Sequence, residues 1–358
     1  MSNISYSPLK NKKLRLINSI CAIGNPIIDI SAELSENNIN QYNMTENVIN
    51  FMNEENKNFF DLIQNQPYVS ITMGGSALNT LRAISWCLAT EGEQRNNNIK
   101  ISIVGAVGND TYKDKIINTL KQQNINYLFE QNNLNTSKCA IGTNNGKKYI
   151  LSQISASENL SDYYVEQNWN EIFSHDAIII EGYFLKEKYE LCYNICEKFY
   201  RAGKYIILTM RDPLFNNQYR DKIIEIAKMA DMIVTNYRSI HSLCRRNITN
   251  LNPSPVLRDI HTLLTNNNKE RLILITVGRN GVFCGLLDSE GEKYFQKLPD
   301  KLNNDDIRDF NGAGDAFLGG FLYQLYKGGT LEDCCVAGNK IASIVIRNYG
   351  CIFPRISN

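Results

Sequence analysis

Five short apolar runs recur along the chain and alternate with segments that have the hydrophobic period of an amphipathic helix. The runs are ISIVGAV at 101–107, AIII at 177–180, YIILTM at 205–210, MIVT at 232–235 and LILITV at 272–277. They are apolar at every position or nearly so, which is typical of strands buried on both faces. Helix-period segments include 111–123 and 221–230. This alternation predicts an α/β layer fold with a mostly parallel sheet.

Two segments depart from this pattern, because their apolar residues alternate with polar ones. They are 27–34 (IIDISAEL) and 139–152, the second around the turn sequence Asn144-Asn145-Gly146. Alternation with period two indicates half-exposed antiparallel strands. We therefore expect a small β-rich flap beside the α/β body, formed by two insertions at about 30–72 and 132–156.

Composition excludes several classes of protein. The 358 residues carry 38 Lys and Arg against 37 Asp and Glu, so the chain lacks the charge signature of nucleic-acid or membrane binding. No apolar run approaches the ~18 residues of a membrane-spanning helix. The ten cysteines contain no CxxC pair and are expected to be reduced core thiols of a cytoplasmic protein, without a zinc site. We expect a monomer whose residues 1–15 form a disordered tail.

The clearest chemical signal is the segment DFNGAGDAFLGGF at 309–321. Small residues crowd the start of an apolar helix, where backbone N–H groups are unpaired and glycines let an anion approach. The segment is therefore expected to hold a negatively charged group. Asp315 beside it suits a general base that takes a proton from an attacking hydroxyl. From spacing alone, a helix cap explains Asp315 equally well.

Two further elements place polar side chains near strand ends. GGSALN at 74–79 opens a second helix, and GNPIID at 24–29 follows the first strand. A glycine pair lets a small polar ligand touch the main chain, and Asn25 and Asp29 suit two vicinal hydroxyls, because a carboxylate accepts two hydrogen bonds. A plain turn explains each element as simply. Together with the anion site, they indicate phosphoryl transfer to an alcohol.

This combination resembles the PfkB, or ribokinase-like, family of carbohydrate kinases, and within it the branch that phosphorylates adenosine. The resemblance lies in GNPIIDISA at 24–32, GGSALNTLRAISW at 74–86, NGAGDAFLGGF at 311–321 and GCIFP at 350–354. It implies a three-layer αβα body over 16–358 with a lid, and transfer of the ATP γ-phosphate to the 5′-hydroxyl of adenosine in purine salvage, with Mg²⁺ bridging the phosphates. Two alternatives stay open: a kinase for another nucleoside or a sugar, such as inosine, guanosine or ribose, and a nucleoside-binding protein with weak transfer.

The resemblance also implies roles for individual residues. Asp315 would be the general base, and the backbone of Gly312, Ala313 and Gly314 would form the anion hole. Contacts to the nucleoside or its phosphate are implied for Asn25, Asp29, Gly74, Gly75, Ser76, Asn79, Lys148 and Phe184, with Lys148 reaching phosphate from the lid and Phe184 stacking on the base. Contacts to ATP are implied for Asn236, Thr276, Gly278, Asn311 and Asn339.

Four positions depart from the family pattern. Ser239 replaces the glutamate of an N-x-x-E motif, and Phe310 stands where threonine is common. Leu78 replaces a polar residue that the family usually has beside the nucleoside, and TMRD at 209–212 lacks the asparagine expected near ATP. These departures bear on the rate, the use of metal and the preference for the base.

Overall fold

A computed structural model describes residues 8–42, 44–46, 49–91, 99–144, 147–210, 219–246, 252–264, 269–289 and 291–355. Three sequence expectations lie partly outside these ranges. They are residues 1–7 of the tail, 145–146 of the flap turn, and 211–212 of the TMRD segment.

One large sheet forms the centre of the body. Its nine strands are β1 (Ser19–Ile23), β5 (Lys100–Val107), β6 (Asn126–Gln131), β9 (Ala177–Ile180), β10 (Tyr205–Thr209), β11 (Met232–Asn236), β12 (Arg271–Thr276), β13 (Val282–Asp288) and β14 (Gly291–Lys297). Their spatial order is β14-β13-β12-β11-β10-β9-β1-β5-β6. The strands from β12 to β6 run parallel, and β13 and β14 form an antiparallel hairpin at one edge. The predicted mostly parallel sheet is confirmed.

Helices cover both faces of this sheet, because its strands are apolar on both sides. In β1, Ile20 and Ala22 pack into one hydrophobic cluster, while Cys21 and Ile23 pack into the other. The first layer contains α3 (Ser76–Thr90), α4 (Thr111–Gln122), α12 (Ala313–Tyr326) and α13 (Leu331–Val345). The second contains α5 (Asp162–Gln167), α6 (Trp169–Phe173), α7 (Gly182–Glu187), α8 (Tyr189–Arg201), α9 (Arg220–Met229), α10 (Tyr237–Leu243) and α11 (Ser254–Leu264). This is the three-layer body that the family resemblance implied.

A smaller sheet of five strands lies beside the body. In spatial order its strands are β3 (Ile49–Phe51), β8 (Lys147–Gln153), β7 (Lys138–Asn144), β2 (Ile27–Glu33) and β4 (Ser70–Gly74), with the short helices α1 (Glu36–Ile39) and α2 (Phe59–Gln64) between them in the chain. The antiparallel pairing of β7 with β8 agrees with the period-two pattern. We call this sheet, with α1 and α2, the lid.

The expectation of a half-exposed antiparallel strand at 27–34 is wrong. Residues 27–32 are all buried, and β2 pairs antiparallel with β4 but parallel with β7. Helix α2 packs against β2 and β7, so the apolar residues of β2 are covered. Its polar residue Asp29 lines an internal cavity, so the alternation in β2 separates core from cavity rather than core from solvent.

The described part of the expected tail is ordered. Pro8–Asn11 form a 3-10 turn in which Leu9 is buried against the core. The backbone N–H of Leu331 donates to the Lys12 carbonyl at 2.9 Å, and Lys13 forms a β-bridge with Thr330. Residues 8–13 therefore dock on the start of α13, and the Arg15 guanidinium donates to the Gly203 carbonyl at 2.6 Å, which corrects the expectation of a disordered tail for residues 8–15.

The cysteines are unpaired, as the sequence predicted. All ten lie within the described residues, none forms a disulfide, and eight are buried. Burial raises the thiol pKa of Cys21 and Cys87 to about 12, which is typical of unreactive core thiols. Within the described ranges, no helix is long and apolar enough to cross a membrane, and no group of three or more His, Cys, Asp or Glu residues is arranged to hold a metal ion.

Candidate active site

The carboxyl ends of the parallel strands open into a cavity of about 500 Å³, which we call the central cavity. Residues at or just after strand ends line it: Asn25 after β1, Glu181 after β9, Asn236 in β11 and Thr276 in β12. Ligands of open α/β sheets bind outside the carboxyl ends of the strands. The lid supplies the opposite wall through β2, β7 and β8.

Most of the residues that the sequence singled out line this cavity. They are Asn25, Asp29, Gly75, Ser76, Asn79, Asn236, Thr276, Asn311, Gly312, Gly314 and Asp315. Gly74 lies directly beside them, because a Cβ atom there would come within 2.4 Å of Asp29 Oδ1. The three separate glycine elements of the sequence therefore meet at one place.

A second cavity of about 430 Å³, the outer cavity, adjoins the first. Gly278, Ala313 and Asn339 line it, as does Gly314, which lines both cavities. Phe310 and Thr276 also border both cavities, and Phe310 is 57% exposed. The two cavities therefore meet at the glycine segment that begins α12.

The start of α12 has the geometry of an anion site. Gly312 adopts the left-handed conformation with φ 73°, and a Cβ atom there would lie 2.5 Å from the side chain of Cys351. Within the part of the chain that the structure describes, no side chain caps the helix at Gly312, although the Ala313 N–H donates to the Phe310 carbonyl at 3.3 Å. The positive end of the helix dipole therefore faces the junction of the cavities.

Asp315 lies on the first turn of α12 and is 8% exposed. Its Oδ1 accepts a hydrogen bond from the Ser76 hydroxyl at 2.6 Å, and its Oδ2 accepts one from the Asn79 amide at 3.3 Å. Both donors belong to α3. The carboxylate is thus oriented by a neighbouring helix, beside the anion site and inside the central cavity.

Asp29 is a second buried carboxyl group in the central cavity. Its pKa is raised to about 7, chiefly by burial and also by the charges of Asp309 and Asp315, although a hydrogen bond from Asn311 to Oδ2, at 3.3 Å, acts in the opposite direction. Near neutral pH, Asp29 is therefore divided between its protonated and ionised forms. A ligand that donates hydrogen bonds to the carboxylate would favour the ionised form.

The structure does not bring Lys148 to the cavities. Its ammonium group forms an ion pair with Asp309, which is 4% exposed on its side chain. Asp309 also accepts hydrogen bonds from the N–H groups of Asn311, at 2.8 Å, and Gly350, at 2.9 Å. A buried carboxylate needs such partners. Lys148 is thus connected to the glycine segment through Asp309, and it does not line either cavity as a phosphate ligand would.

The expected aromatic contact shifts by one residue. Phe184 is 1% exposed and packs in the core of the second helical layer, whereas Tyr183 lines the central cavity. Consecutive residues on α7 point to different sides of the helix. Leu78, expected beside the ligand, is also in the core, at 1% exposed.

Glu181 is a site residue that the sequence reasoning missed. It is 1% exposed, and its Oε2 accepts hydrogen bonds from the backbone N–H groups of Ala77, at 3.0 Å, and Asn25, at 3.3 Å. It therefore joins the end of β1 to the start of α3. The sequence could have indicated Glu181, because it directly follows the apolar run AIII, and ligands of such sheets bind at the carboxyl ends of strands.

Comparisons with known proteins agree with this architecture. The sequence profile described as "pfkB family carbohydrate kinase" matches residues 44–358. The adenosine kinase of Saccharomyces cerevisiae is 21% identical over 340 residues, which cover 94% of this chain and 96% of that protein.

Two solved structures share the fold. Adenosine kinase from Schistosoma mansoni in complex with 2-fluoroadenosine has a TM-score of 0.83 and 22% identity, covering 95% of this chain and 99% of that one. Anopheles gambiae adenosine kinase in complex with P1,P4-di(adenosine-5) tetraphosphate has a TM-score of 0.82 and 23% identity, covering 94% and 98%.

Proposed function

The chain belongs to the pfkB family of carbohydrate kinases, and we propose that it transfers the γ-phosphate of ATP to the 5′-hydroxyl of adenosine. One observation carries the proposal: Asp315 lies in the central cavity beside the uncapped helix start at which the two cavities meet. The names of the relatives support adenosine as the acceptor.

The central cavity suits the nucleoside. Asp29 and Asn25 would hold the two ribose hydroxyls, because the carboxylate accepts hydrogen bonds from both. Tyr183 offers a ring for stacking on the purine, and Ile141 and Ile150 of the lid supply apolar contacts to the base. The lid would then close over the nucleoside and exclude water.

The outer cavity suits ATP. Arg279 and Lys301 at its border provide positive charge, and Thr276, Gly278 and Asn339 line its wall. From there the phosphates would extend to the N–H groups of the 312–314 segment. The family resemblance also implied ATP contacts for Asn236 and Asn311, but these two residues line the central cavity rather than the outer one.

Asp315 would act as the general base. The 5′-oxygen forms a bond to the γ-phosphorus, the bond from that phosphorus to the oxygen shared with the β-phosphate breaks, and the hydroxyl proton passes to Asp315. The products are AMP and ADP. Ser76 and Asn79 hold the carboxylate in place for this transfer.

Magnesium fits this site only as an ion carried by the nucleotide. Mg²⁺ in kinases is bound by one or two carboxylates together with phosphates and water. Near Asn236, the family glutamate is replaced by Ser239, which is fully buried and, among the described residues, has no hydrogen-bond partner for its Oγ. When bound, the ion would neutralise phosphate charge.

We also expect the reaction to take place in the cytoplasm, because ten unpaired cysteines are typical of a reducing compartment.

A second candidate is a pfkB kinase for another nucleoside or a sugar. Phe310 favours it, because this ring borders both cavities where the family commonly has threonine. Leu78 no longer supports it, since its side chain lies in the core.

A substrate panel distinguishes the two candidates. Purified protein with ATP and Mg²⁺ is given adenosine, inosine, guanosine or ribose, and the phosphorylated product of each is measured. We expect the highest kcat/KM for adenosine, with AMP as product. Asp315→Asn protein prepared identically controls for contaminating kinases. Turnover of ribose or inosine without turnover of adenosine would establish the second candidate instead.

A further inference from the structure

Arg82 is a buried cation that the proposed reaction does not use directly. It lies on α3 and is 7% exposed. A single nitrogen, Nη1, donates to the carbonyls of Cys351, at 3.1 Å, and Met73, at 3.3 Å, and to the side-chain oxygen of Asn79, at 3.2 Å. The guanidinium also lies 5.5 Å from the ring centre of Phe353.

The bond to Asn79 determines how that amide is oriented. Asn79 is 3% exposed, and its oxygen and NH₂ group have nearly the same shape, so packing alone does not distinguish the two orientations. A guanidinium only donates, so Arg82 pairs with the oxygen. The NH₂ group is then directed to Oδ2 of Asp315, at 3.3 Å.

Arg82 also contacts the C-terminal segment that packs against the anion site. Arg82 holds the carbonyl of Cys351, and the side chain of Cys351 packs under Gly312, where no Cβ atom fits. A buried cation therefore connects the C-terminal segment, the helix start and the carboxylate of Asp315. Small displacements of reacting groups lower rates strongly, by about 100-fold for 1 Å.

We propose that Arg82 is a positioning residue that fixes the Asn79 amide, so that Asn79 donates a hydrogen bond to the Asp315 carboxylate. This inference rests on the proposed role of Asp315 as general base. Arg82 lines neither the central nor the outer cavity, so it acts on Asp315 through Asn79. Removing it would let the amide rotate and would weaken the hydrogen bond that Asn79 donates to Oδ2 of Asp315.

A double-mutant cycle tests the inference, using whichever acceptor has the highest turnover in the substrate panel. Arg82→Met and Asn79→Ala are each expected to lower kcat about tenfold or more, with the ATP KM changed less than about twofold. Because Arg82 acts through Asn79, the double variant should be no slower than Asn79→Ala by more than about twofold. Multiplicative losses, or an unchanged kcat in Arg82→Met, would overturn the inference.

Two further variants separate positioning from folding. In Arg82→Lys one nitrogen with three N–H groups replaces Nη1, so kcat should stay within about threefold of the wild type. In Asn79→Asp, both side-chain oxygens accept, so the protein should fold with Arg82 paired yet lose kcat at least tenfold. Full activity of Asn79→Asp, or a loss in Arg82→Lys as large as the loss in Asn79→Asp, would contradict the inference even if Arg82→Met does not fold.

The matched control is Ser85→Ala. Ser85 lies one turn along α3 from Arg82, and its hydroxyl donates to the carbonyl of Gln123 at 2.5 Å, away from Asp315. Its kcat should remain that of the wild type even if its melting temperature falls. Wild-type protein that turns over another panel substrate without turning over adenosine refutes the proposed function, and the same cycle on that substrate then supports or overturns this inference by the same criteria.

Discussion

The central and outer cavities meet at one glycine segment but differ in charge. The central cavity is bordered by Asp29, Glu181 and Asp315, each at least nine-tenths buried, while the outer cavity has the exposed cations Arg279 and Lys301 at its border. Buried carboxylates select a neutral ligand that donates hydrogen bonds, whereas cations and helix N–H groups select an anion. Under the proposed function, this difference would separate the alcohol that accepts phosphate from the nucleotide that supplies it.

This division explains how a chain with a net charge of +1 can serve an anionic substrate. Charge is organised locally rather than over the whole surface. The uncapped start of α12 provides N–H groups without a net charge, and Lys148 neutralises Asp309 beneath it. Variants on either side of the glycine segment should therefore affect one substrate and not the other.

The largest of these effects is expected at Asp29. Asp29→Asn should weaken adenosine binding by about 10- to 100-fold, because hydrogen bonds to a charged group are worth about 1.5–3 kcal/mol. The KM for ATP should change less than about threefold. Isothermal titration with adenosine and steady-state kinetics for ATP measure the two effects. An equal loss for both substrates would show that the cavities are not separate.

The raised pKa of Asp29 predicts a pH dependence of stability. The folded pKa of about 7 exceeds the ordinary 3.8, so the folded state binds more protons between these values. The stability that the protonated group contributes is full below pH 3.8 and is lost as pH rises through 7. Relative to Asp29→Asn, the unliganded wild type should therefore lose about 2–4 kcal/mol of unfolding free energy between pH 4 and pH 8.

Thermal or urea unfolding of both proteins across this range provides the measurement. Because the other titrating groups are common to both, the difference between the two curves isolates Asp29. A constant difference would contradict the burial of this carboxyl group in the unliganded protein.

A smaller effect, on stability, is expected in the glycine segment between the cavities. Gly312→Ala combines a left-handed backbone with contact to Cys351 and should lower the unfolding free energy by about 3 kcal/mol. The matched variant is Gly278→Ala in the outer cavity, where φ is +52° and no atom of a described residue lies within 4 Å of the added atom. It should cost only about 1 kcal/mol of backbone strain. Equal urea midpoints would contradict the close packing under Gly312.

The smallest effect is expected from the aromatic pair on α7. Tyr183→Leu should raise the KM for adenosine about fivefold, since stacking is worth about 1 kcal/mol, with little change in melting temperature. Phe184→Leu should do the reverse, because its ring is in the core. Kinetics and thermal unfolding of the two variants check this. A larger KM change in Phe184→Leu would restore the residue that the sequence favoured.

The parts of the structure that the sequence predicted are those controlled by local pattern. Runs such as 177–180 are apolar at every position, so their burial on both sides of a sheet follows from the sequence alone. The glycine elements at 24–29 and 74–79 adjoin the ends of β1 and β4, the element at 309–321 begins α12, and residues of all three line the central cavity.

The errors arose where distant residues decide the environment. The pattern of β2 is that of an exposed strand, but α2 and the cavity cover it. Lys148 is satisfied by Asp309, a partner that its own neighbourhood in the sequence does not reveal. The choice between Tyr183 and Phe184 depends on where α7 begins, and a difference of one residue rotates a side chain from the cavity into the core.

The central claim is that Asp315 accepts the proton of the acceptor hydroxyl at the junction of the two cavities. The most direct test measures AMP formation from adenosine, ATP and Mg²⁺ by wild type, by Asp315→Asn, and by Asp306→Asn as a control at an exposed position that lines neither cavity. We predict AMP formation by the wild type, a fall in kcat of about 100-fold or more in Asp315→Asn with adenosine affinity within about threefold, and near-normal kcat in the control. An Asp315→Asn enzyme that keeps kcat within tenfold, or a wild type that binds adenosine without forming AMP, would contradict the account.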